Sequence, residues 1–513
     1  MEQKKTDFTF IDLFSGIGGF RLALNNLGGT CLNFSEISKD AINTYCTNFE
    51  EEESYNLGDI TKIENLPKHD LLTGGVPCQS WSIAGRNLGF DDDRGQLWND
   101  TIYLLNKSRP KAFIFENVKG LVDPRNQEAL AYILERIRNA GYHASYYVLN
   151  SFDYGVPQNR VRIYIIGFLE KEFHTKFKLP QPVEHKIRLG DILTDCKRST
   201  VTNAITVQKD LFGDAILGRN MSLSNTKGFN DYFLFNDLRN GHSTIHSWDI
   251  TETSEFQKHI CYLLLKNRRK SVYGDLDGNP LALQHFQGLD SSIGLSDLQG
   301  LVKINILKEE EYTFSIVSDL EKDVISNDEM AVLECSVGNI LNIDVLKNNR
   351  KFKLDKLSVS KIINSLKEKN IIVCSETRYD FKNTKISTGL FGVNRVFLPS
   401  SNIFPTLVAS DSNDFVATED IDATNAEEYK TKFLEEIYKK GKYRKVTKEE
   451  ACLIQGFPED FLLPPTRARW MKLVGNSVSA PVIEILGKAI IDTGIFDNQY
   501  ETIDTEASLS YAI

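Results

Sequence analysis

A cysteine in a polar loop is the first side chain that could do chemistry. Cys78 stands in the stretch Gly-Gly-Val-Pro-Cys-Gln-Ser-Trp-Ser at 74–82, after a predicted strand and before a loop that runs to Gly95. The carboxyl end of a strand is where open α/β sheets bind ligands. A thiolate at that place could act as a nucleophile. The alternative is a buried structural thiol, the usual role of a cysteine in a folded protein.

A carboxylate and two arginines follow on later predicted strands. Glu116 ends the apolar run of Phe-Ile-Phe-Glu-Asn-Val at 113–118. Its partial desolvation would suit the carboxyl to deliver a proton. The less favoured alternative is a helix N-cap pair. Arg160 and Arg162, in Gln-Asn-Arg-Val-Arg, alternate along a strand and so share one side. Both could point at one anionic or carbonyl-bearing ligand; the alternative is an exposed strand edge.

A glycine-rich turn and two carboxylates predict a cofactor site. The turn Phe14–Gly19 separates a buried strand from a helix, so that a ligand could approach the backbone with the helix N-terminus behind it. Arg21 stands where a dinucleotide fingerprint needs glycine. Glu36 follows the second strand, where it could accept from ribose hydroxyls, and Asp59 could accept from an adenine amino group. This set fits an adenosine-containing cofactor without a pyrophosphate.

The elements that must position these residues alternate between strand and helix over the first 170 residues. This alternation predicts a doubly wound α/β fold with a mostly parallel sheet covered on both faces. From about residue 184 the chain becomes less periodic and richer in Asn, Ser and Asp. Strong motifs return after about residue 443, and the residues from 497 form a polar tail.

Composition bounds the class of protein. The chain has 513 residues and a net charge of −10, which by itself argues against a uniformly basic nucleic-acid-binding protein. We see no run of about 20 apolar residues that would span a membrane, no signal peptide and no C-x-x-C pair. The sequence therefore predicts a protein of a reducing cytoplasm that does not bind a membrane, with neither a metal site nor disulfides.

The negative net charge hides a local basic block. Residues 341–400 hold twelve Lys and Arg against five acidic groups, a net of +7, directly after 311–340, whose net charge is −6. Within the block, residues 357–373 predict a capped amphipathic helix, a turn at Asn370 and a strand. This segment resembles the recognition helix and wing of a winged-helix domain. A helix–strand unit with a solvated basic face is an equally good interpretation.

The ordered set of motifs resembles that of DNA (cytosine-5) methyltransferases of the bacterial restriction–modification type. The matching motifs are Phe-Ser-Gly-Ile-Gly-Gly, Pro-Cys-Gln, Glu-Asn-Val, Gln-x-Arg-x-Arg, Gln-Gly-Phe-Pro and Gly-Asn-Ser-Val, within 8–170 and 443–485, about two fifths of the chain. The resemblance implies a Rossmann-like methyltransferase domain that uses S-adenosylmethionine, with a large inserted target-recognition region. The expected domains are 1–185 and 441–496 for catalysis, 186–440 for target recognition with a winged-helix-like part at about 311–400, and a tail at 497–513.

The resemblance also implies roles for individual residues. Cys78 would attack C6 of a cytosine flipped out of duplex DNA, and Glu116 would hold and protonate N3. Arg162 would bind O2, and Arg160 would support the loop that carries Cys78. The methyl group would pass from S-adenosylmethionine to C5, leaving S-adenosylhomocysteine. The residues expected to contact the cofactor are Phe14, Gly16, Gly18, Glu36, Ile37, Asp59, Ile60, Leu97, Asn476 and Ser477. The C-terminal segment must then fold back onto the first turn.

Partners follow from the same resemblance. The expected substrate is double-stranded DNA, methylated by a monomer in a prokaryotic cytoplasm, at the nucleoid, to protect it from a cognate restriction endonuclease. Two departures stand out: Lys-Glu-Glu at 448–450 replaces the family's Pro-Arg-Glu, and the insert of about 250 residues is long.

Two other functions remain open at this stage. A tRNA cytosine-5 methyltransferase would resemble its relatives in a Cys-Phe-Thr tripeptide, where this chain has Cys-Ser-Val at 335–337 and Cys-Ser-Glu at 374–376. A non-catalytic DNA-binding scaffold is disfavoured because Cys78, Glu116, Arg160 and Arg162 are all intact.

Overall fold

The computed structural model groups the chain into two compact units. It describes residues 7–77, 93–196, 247–274, 278–317, 325–355, 357–382, 395–401, 403–411, 414–421, 428 and 431–497. One unit comprises Met1–Thr200, Phe397–Asp420 and Tyr443–Ile513, and the other Val201–Val396 and Ile421–Lys442. Residues 397–420 thus group with the unit that holds the N-terminal motifs. This division reflects compactness only and does not show which segment binds DNA. The expected domain boundaries at 185, 440 and 496 therefore stay a prediction.

The described helices and strands have the following bounds. The strands are β1 Phe8–Leu13, β2 Gly29–Ser35, β3 Leu71–Gly75, β4 Ala112–Val118, β5 His143–Asn150, β6 Gln158–Asn159, β7 Val161–Phe168, β8 Leu307–Ile316, β9 Ile340–Asn342, β10 Ile372–Phe381, β11 Arg395–Phe397, β12 Phe404–Pro405, β13 Asp414–Ala417 and β14 Tyr443–Arg444. The helices are α1 Gly19–Asn26, α2 Lys39–Phe49, α3 Asp93–Ser108, α4 Gln127–Asn139, α5 Lys171–Lys176, α6 Leu189–Ile192, α7 Ser247–Ile250, α8 Glu255–Asn267, α9 Leu283–Leu289, α10 Leu295–Lys303, α11 Asn327–Leu333, α12 Ile343–Asn348, α13 Arg350–Leu354, α14 Val359–Glu368, α15 Lys448–Gln455, α16 Arg467–Asn476 and α17 Ala480–Ile491.

A six-stranded sheet forms the centre of the first unit. Its order is β2-β1-β3-β4-β7-β5, with parallel pairing from β2 to β4 and antiparallel pairing of β7 with both neighbours. The side chains of successive residues of β1 point to opposite faces of the sheet, as strand geometry requires. Phe10 packs with α1 and α17 on one face, and Ile11 packs with α3 and α4 on the other. The expected α/β fold with a mostly parallel sheet is confirmed.

The C-terminal helices complete this core. Residues Arg467–Ile491 are, among those described, the one stretch long and apolar enough to cross a membrane, with a mean hydropathy of 1.3. However, 61% of that window is buried inside the protein, and residues 477–479 divide it into α16 and α17. α17 packs against α1, which explains its apolar composition as that of a core helix.

The second unit contains a three-stranded antiparallel sheet in the order β10-β8-β9. Its long strands β8 and β10 contribute to two apolar clusters, one with α8, α9 and α10 and one with α11 to α14. The helix, turn and strand expected at 357–373 are present as α14, a turn at Asn370 with a φ of 53°, and β10. Ser358 stands at the N-cap position of α14, but its side chain makes no capping hydrogen bond; at the other end, the Lys369 amide donates to the carbonyl oxygens of Lys367 and Ser365.

Candidate active site

The turn after β1 presents the backbone that a cofactor would meet. Phe14 has a φ of 51°, in the left-handed region that residues with a Cβ rarely occupy, and Gly16 and Gly18 have φ values of 56° and 87°. The chain thereby reverses from β1 into α1, whose N-terminus lies at Gly19. Three of the expected cofactor residues therefore belong to one turn at the carboxyl edge of the sheet.

Glu36 is held against this turn at the end of β2. Its Oε2 accepts from the Gly16 amide at 3.0 Å, and its Oε1 accepts from the amides of Ile37 and Ser38, each at 2.8 Å. Each carboxylate oxygen keeps further acceptor capacity, so ribose hydroxyls could still bind there. The side chain of Ile37 is 74% exposed, which leaves an apolar surface open beside the carboxylate.

Asp59 offers one free oxygen near an apolar cluster. Its Oδ1 accepts from the amide of Thr61 at 3.1 Å and from the Thr61 hydroxyl at 2.9 Å, and these bonds lower the pKa of Asp59. Of the described residues, none donates to Oδ2. Ile60 is buried next to Asp59, and Leu97 and Phe14 pack in the same cluster. The arrangement suits a flat ring with a polar edge.

The C-terminal segment returns to the first turn, as the resemblance implied. A Cβ placed on Gly19 would lie 2.7 Å from Cγ2 of Val478 and 3.2 Å from Oγ of Ser477, so only glycine allows this approach. On its other side, Val478 lies near Gly75, where an added Cβ would be 3.7 Å away. Asn476 is exposed at the end of α16. Residues 476–478 thus lie beside both the cofactor turn and the strand that leads to Cys78.

Glu116 and Arg162 form a largely buried ion pair. They lie on the antiparallel strands β4 and β7, where Val118 is the register partner of Arg162. The Arg162 Nε lies 3.1 Å from the Glu116 Oε1, and the two side chains are 15% and 10% exposed. The contact lacks hydrogen-bond alignment, since Glu116 Oε1 has no hydrogen-bond partner among the described residues. That oxygen could therefore still take a bond to a substrate atom.

Cys78 lies outside the described residues, but the strand that leads to it ends beside Glu116. Gly75, at the end of β3, is the register partner of Glu116 on β4. Asn117 donates from Nδ2 to the carbonyl oxygen of Val76 at 3.2 Å, which ties the chain just before Pro77 to β4. Asn117 belongs to the Glu-Asn-Val motif, and sequence reasoning gave it no role.

Arg160 binds backbone carbonyls far along the chain. Its Nη2 donates to the Ser477 carbonyl at 2.6 Å, and its Nη1 lies 3.3 Å from the Gly475 oxygen and 3.5 Å from the Leu407 oxygen. The side chain is 3% exposed, and burial lowers the pKa of Arg160 to about 9. The described contacts thus fix the C-terminal segment. The expected support of the Cys78 loop falls outside the described residues and stays a prediction.

Two glutamines extend this network, and sequence reasoning assigned them no function. Gln158 donates from Nε2 to Oε1 of Gln455 at 2.9 Å, and Gln455 donates to the Ser477 carbonyl at 2.8 Å. Both glutamines are fully buried. Each glutamine belongs to a motif that the sequence analysis identified, and membership in those motifs was the signal that could have pointed to them. The Gln-x-Arg-x-Arg motif, through Arg160, and the Gln-Gly-Phe-Pro motif, through Gln455, therefore meet at the Ser477 carbonyl.

Asp12 is a further polar residue that sequence reasoning missed. It is fully buried in β1, where its Oδ1 accepts from the Thr73 hydroxyl at 3.2 Å and its Oδ2 has no partner among the described residues. Burial raises the pKa of Asp12 to about 7. The available signal was a carboxyl near the end of a largely apolar strand, directly before Leu13 and the glycine-rich turn. It lies under the cofactor turn and beside the strand that leads to Cys78.

Comparison with known proteins covers nearly the whole chain. A family model described as C-5 cytosine-specific DNA methylase matches residues 8–335 and 303–492. The type II methyltransferase M.HgiBI of Herpetosiphon aurantiacus is 40% identical over 495 residues, which are 96% of this chain and 98% of that protein. The type II methyltransferase M.NlaIV of Neisseria lactamica is 29% identical over 508 residues, 94% and 99% of the two chains. Since both relatives are covered almost completely, the long insert is a shared feature.

Proposed function

Because the chain belongs to the family of C-5 cytosine-specific DNA methylases, we propose that its Cys78, Glu116 and Arg162 are the groups that activate cytosine. The protein is a type II DNA (cytosine-5-)-methyltransferase of a restriction–modification system, and S-adenosylmethionine is its methyl donor. Its substrate is DNA. With the relatives named as type II enzymes, neither a tRNA methyltransferase nor a non-catalytic scaffold retains a specific observation in its favour.

The residues at the carboxyl edge of the sheet fit the cofactor. Glu36 could hold the ribose hydroxyls, Asp59 could accept from the adenine amino group through its free Oδ2, and the exposed Ile37 could cover one ring face. Gly16 and Gly18 leave the backbone open to the ligand. When bound, S-adenosylmethionine supplies an electrophilic methyl group.

The observation that carries the proposed mechanism is the buried Glu116–Arg162 ion pair beside the strand that leads to Cys78. C5 of cytosine is a weak nucleophile until a nucleophile adds to C6. The Cys78 thiolate would form that bond while the carboxyl of Glu116 passes its proton to N3, and Arg162 would hold O2. This addition would make C5 nucleophilic towards the methyl group that S-adenosylmethionine supplies, with S-adenosylhomocysteine as the leaving group. Loss of the C5 proton to a base would then expel the Cys78 thiolate, and return of the N3 proton to the Glu116 carboxylate would restore the neutral aromatic ring.

Substitution of the nucleophile tests this mechanism. Cys78→Ser should abolish methyl transfer to plasmid DNA and keep the affinity for S-adenosylmethionine, which calorimetry would measure. Normal turnover by that variant would overturn the assigned nucleophile. Bisulfite sequencing of DNA from cells that express the wild-type chain would identify the product and its sequence context together.

The finer biological setting is also a proposal. We propose that the chain acts as a monomer in the cytoplasm and protects host DNA from a cognate endonuclease, and that residues 186–440 select the target sequence. The names of the relatives support the restriction setting. Expression of the chain should make plasmid DNA resistant to an endonuclease that cuts at the methylated sequence, and Cys78→Ser should not.

A further inference from the structure

Part of the second unit forms a small subdomain with its own core. Strands β8, β9 and β10 and helices α11 to α14 contribute to a single apolar cluster. The buried members of the cluster are Tyr312, Phe314, Val332, Leu333, Leu341, Ile343, Leu346, Phe352, Ile363, Leu366, Ile371 and Ile372. Helices α11 to α14 pack on this three-stranded antiparallel sheet, and α14 runs directly into β10. Because β10 pairs with β8, the described residues contain no hairpin wing after α14. The middle strand of this sheet, β8, precedes helices α11 to α14 in the chain.

Helix α14 turns a polar face to solvent. Ile363 and Leu366 are buried in the subdomain core, whereas Lys361, Asn364 and Glu368 are exposed. These three residues are spaced by three and four positions, so they share the outer face of the helix. Lys361 belongs to the N-terminal half of the helix, Asn364 lies just past its middle, and the one carboxylate, Glu368, lies at its end.

The lysines of α14 and its C-terminal end differ in whether a carboxylate neutralises them. Lys367 is paired with Glu311 of β8 at 2.6 Å, and Lys369 is paired with the buried Glu329 of α11 at 2.7 Å. Lys361 has no carboxylate within ion-pair distance in the described part of the chain. Its positive charge is therefore available to a ligand.

Helices α12 and α13 add further cations. Lys347, Arg350 and Lys351 are exposed and, among the described residues, pair with no carboxylate. Asn349 caps α13 and holds these cations on ordered backbone, accepting from the Lys351 amide at 3.0 Å. Among the described residues, helices α12 to α14 thus carry four positive charges without an ion-pair partner, three of them on the two helices that precede α14 in the chain.

We propose that α14 enters the major groove of the DNA substrate, with Asn364 facing base edges and Lys361 facing a phosphate. The major groove of B-DNA is about 12 Å wide and admits an α-helix, and an asparagine amide can pair with adenine there. Lys347, Arg350 and Lys351 would bind flanking phosphates, as the helix before a recognition helix does. The inference rests on the proposed function only in taking duplex DNA as the substrate.

The test compares two lysines of the same helix. Binding of full-length Lys361→Gln and Lys367→Gln to linear plasmid DNA is measured between 50 and 200 mM salt. Loss of one phosphate contact should make the slope of log K against log salt less negative by about 1. We expect this change for Lys361→Gln only, and Lys361→Arg should restore the wild-type slope. Asn364→Ala should keep the slope and broaden the sequence context of methylation in bisulfite sequencing.

Equal slopes of log K against log salt for wild type and Lys361→Gln would overturn the proposal. Equal changes of that slope in Lys361→Gln and Lys367→Gln would overturn it as well. The chemistry of Cys78 is tested separately, because saturating DNA at low salt should restore methyl transfer by Lys361→Gln. A variant that binds DNA normally but loses turnover would also contradict a DNA-contacting role for α14.

Discussion

A methyl group added at Gly475 should weaken cofactor binding more than it weakens the fold. A Cβ at this position would lie 2.6 Å from the backbone nitrogen of Ala409 and 2.6 Å from the carbonyl carbon of Val408. Backbone cannot rotate away as a side chain can, so the overpacking cost should be near the upper end of about 1–3 kcal/mol. Alanine recovers about 1 kcal/mol of helix propensity over glycine. The net strain in Gly475→Ala is therefore about 1–2 kcal/mol.

This strain can be relieved if residues 475–477 move away from Val408. Such a movement would displace Asn476 and Ser477, the residues expected to close the cofactor pocket, and would lengthen the bonds from Arg160. If binding has to restore the original position, a strain of about 1.4 kcal/mol appears as a tenfold weaker affinity. We therefore expect the KM for S-adenosylmethionine to rise about tenfold in Gly475→Ala, and kcat to change less.

Gly487→Ala is the matched control. Its Cβ would lie 2.9 Å from Cδ1 of Leu27 and 3.0 Å from Cδ2 of Leu24, which are the flexible ends of side chains. The same gain in helix propensity should offset the smaller strain. Steady-state kinetics and denaturant unfolding of both variants provide the comparison. An unchanged KM in Gly475→Ala, or equal KM changes in the two variants, would refute the link between this close approach and the cofactor.

Three further predictions concern buried polar groups. Arg160→Met leaves the Gly475 carbonyl without its donor and should raise the KM for S-adenosylmethionine in steady-state assays; an unchanged KM would contradict the positioning role. Glu116→Gln removes the proton donor and should slow methyl transfer at least about 100-fold with cofactor affinity preserved in calorimetry; near-normal turnover would speak against it. The pKa of Asp12 is raised to about 7, so the native state keeps a proton that the unfolded chain loses above about pH 4. The free energy of unfolding should therefore fall between about pH 4 and pH 7 by up to about 4 kcal/mol. In urea unfolding, Asp12→Asn should flatten this pH dependence. An unchanged pH dependence in the variant would exclude Asp12 as its source.

Sequence reasoning predicted the features that depend on neighbours in the chain. The turn at 14–19 has its glycines between an apolar strand and an amphipathic helix, and Glu36 follows the next strand. Strand–helix alternation restricts such residues to the carboxyl edge of a parallel sheet. For this reason the fold class and the approach of Glu36 to Gly16 could be predicted. The order of the family motifs likewise predicted the enzyme family.

The partners of individual charges could not be predicted in this way. Lys361 and Lys367 share one helix and one residue type, yet only Lys367 meets Glu311, which lies 56 residues earlier on β8. The pairing depends on how α14 packs against the sheet, and the sequence of α14 does not specify that packing.

The amino-acid sequence by itself determined the strands, the turns, the motif residues and therefore the chemistry that this protein can perform. The tertiary structure decided which of those residues meet. Arg160 finds its acceptors 247, 315 and 317 residues further along the chain, and Gly75 is placed beside Glu116 by the register of β3 and β4. Local patterns follow from backbone and side-chain preferences over a few residues. Contacts between distant segments depend on burying both faces of one sheet at once, which only the complete fold achieves.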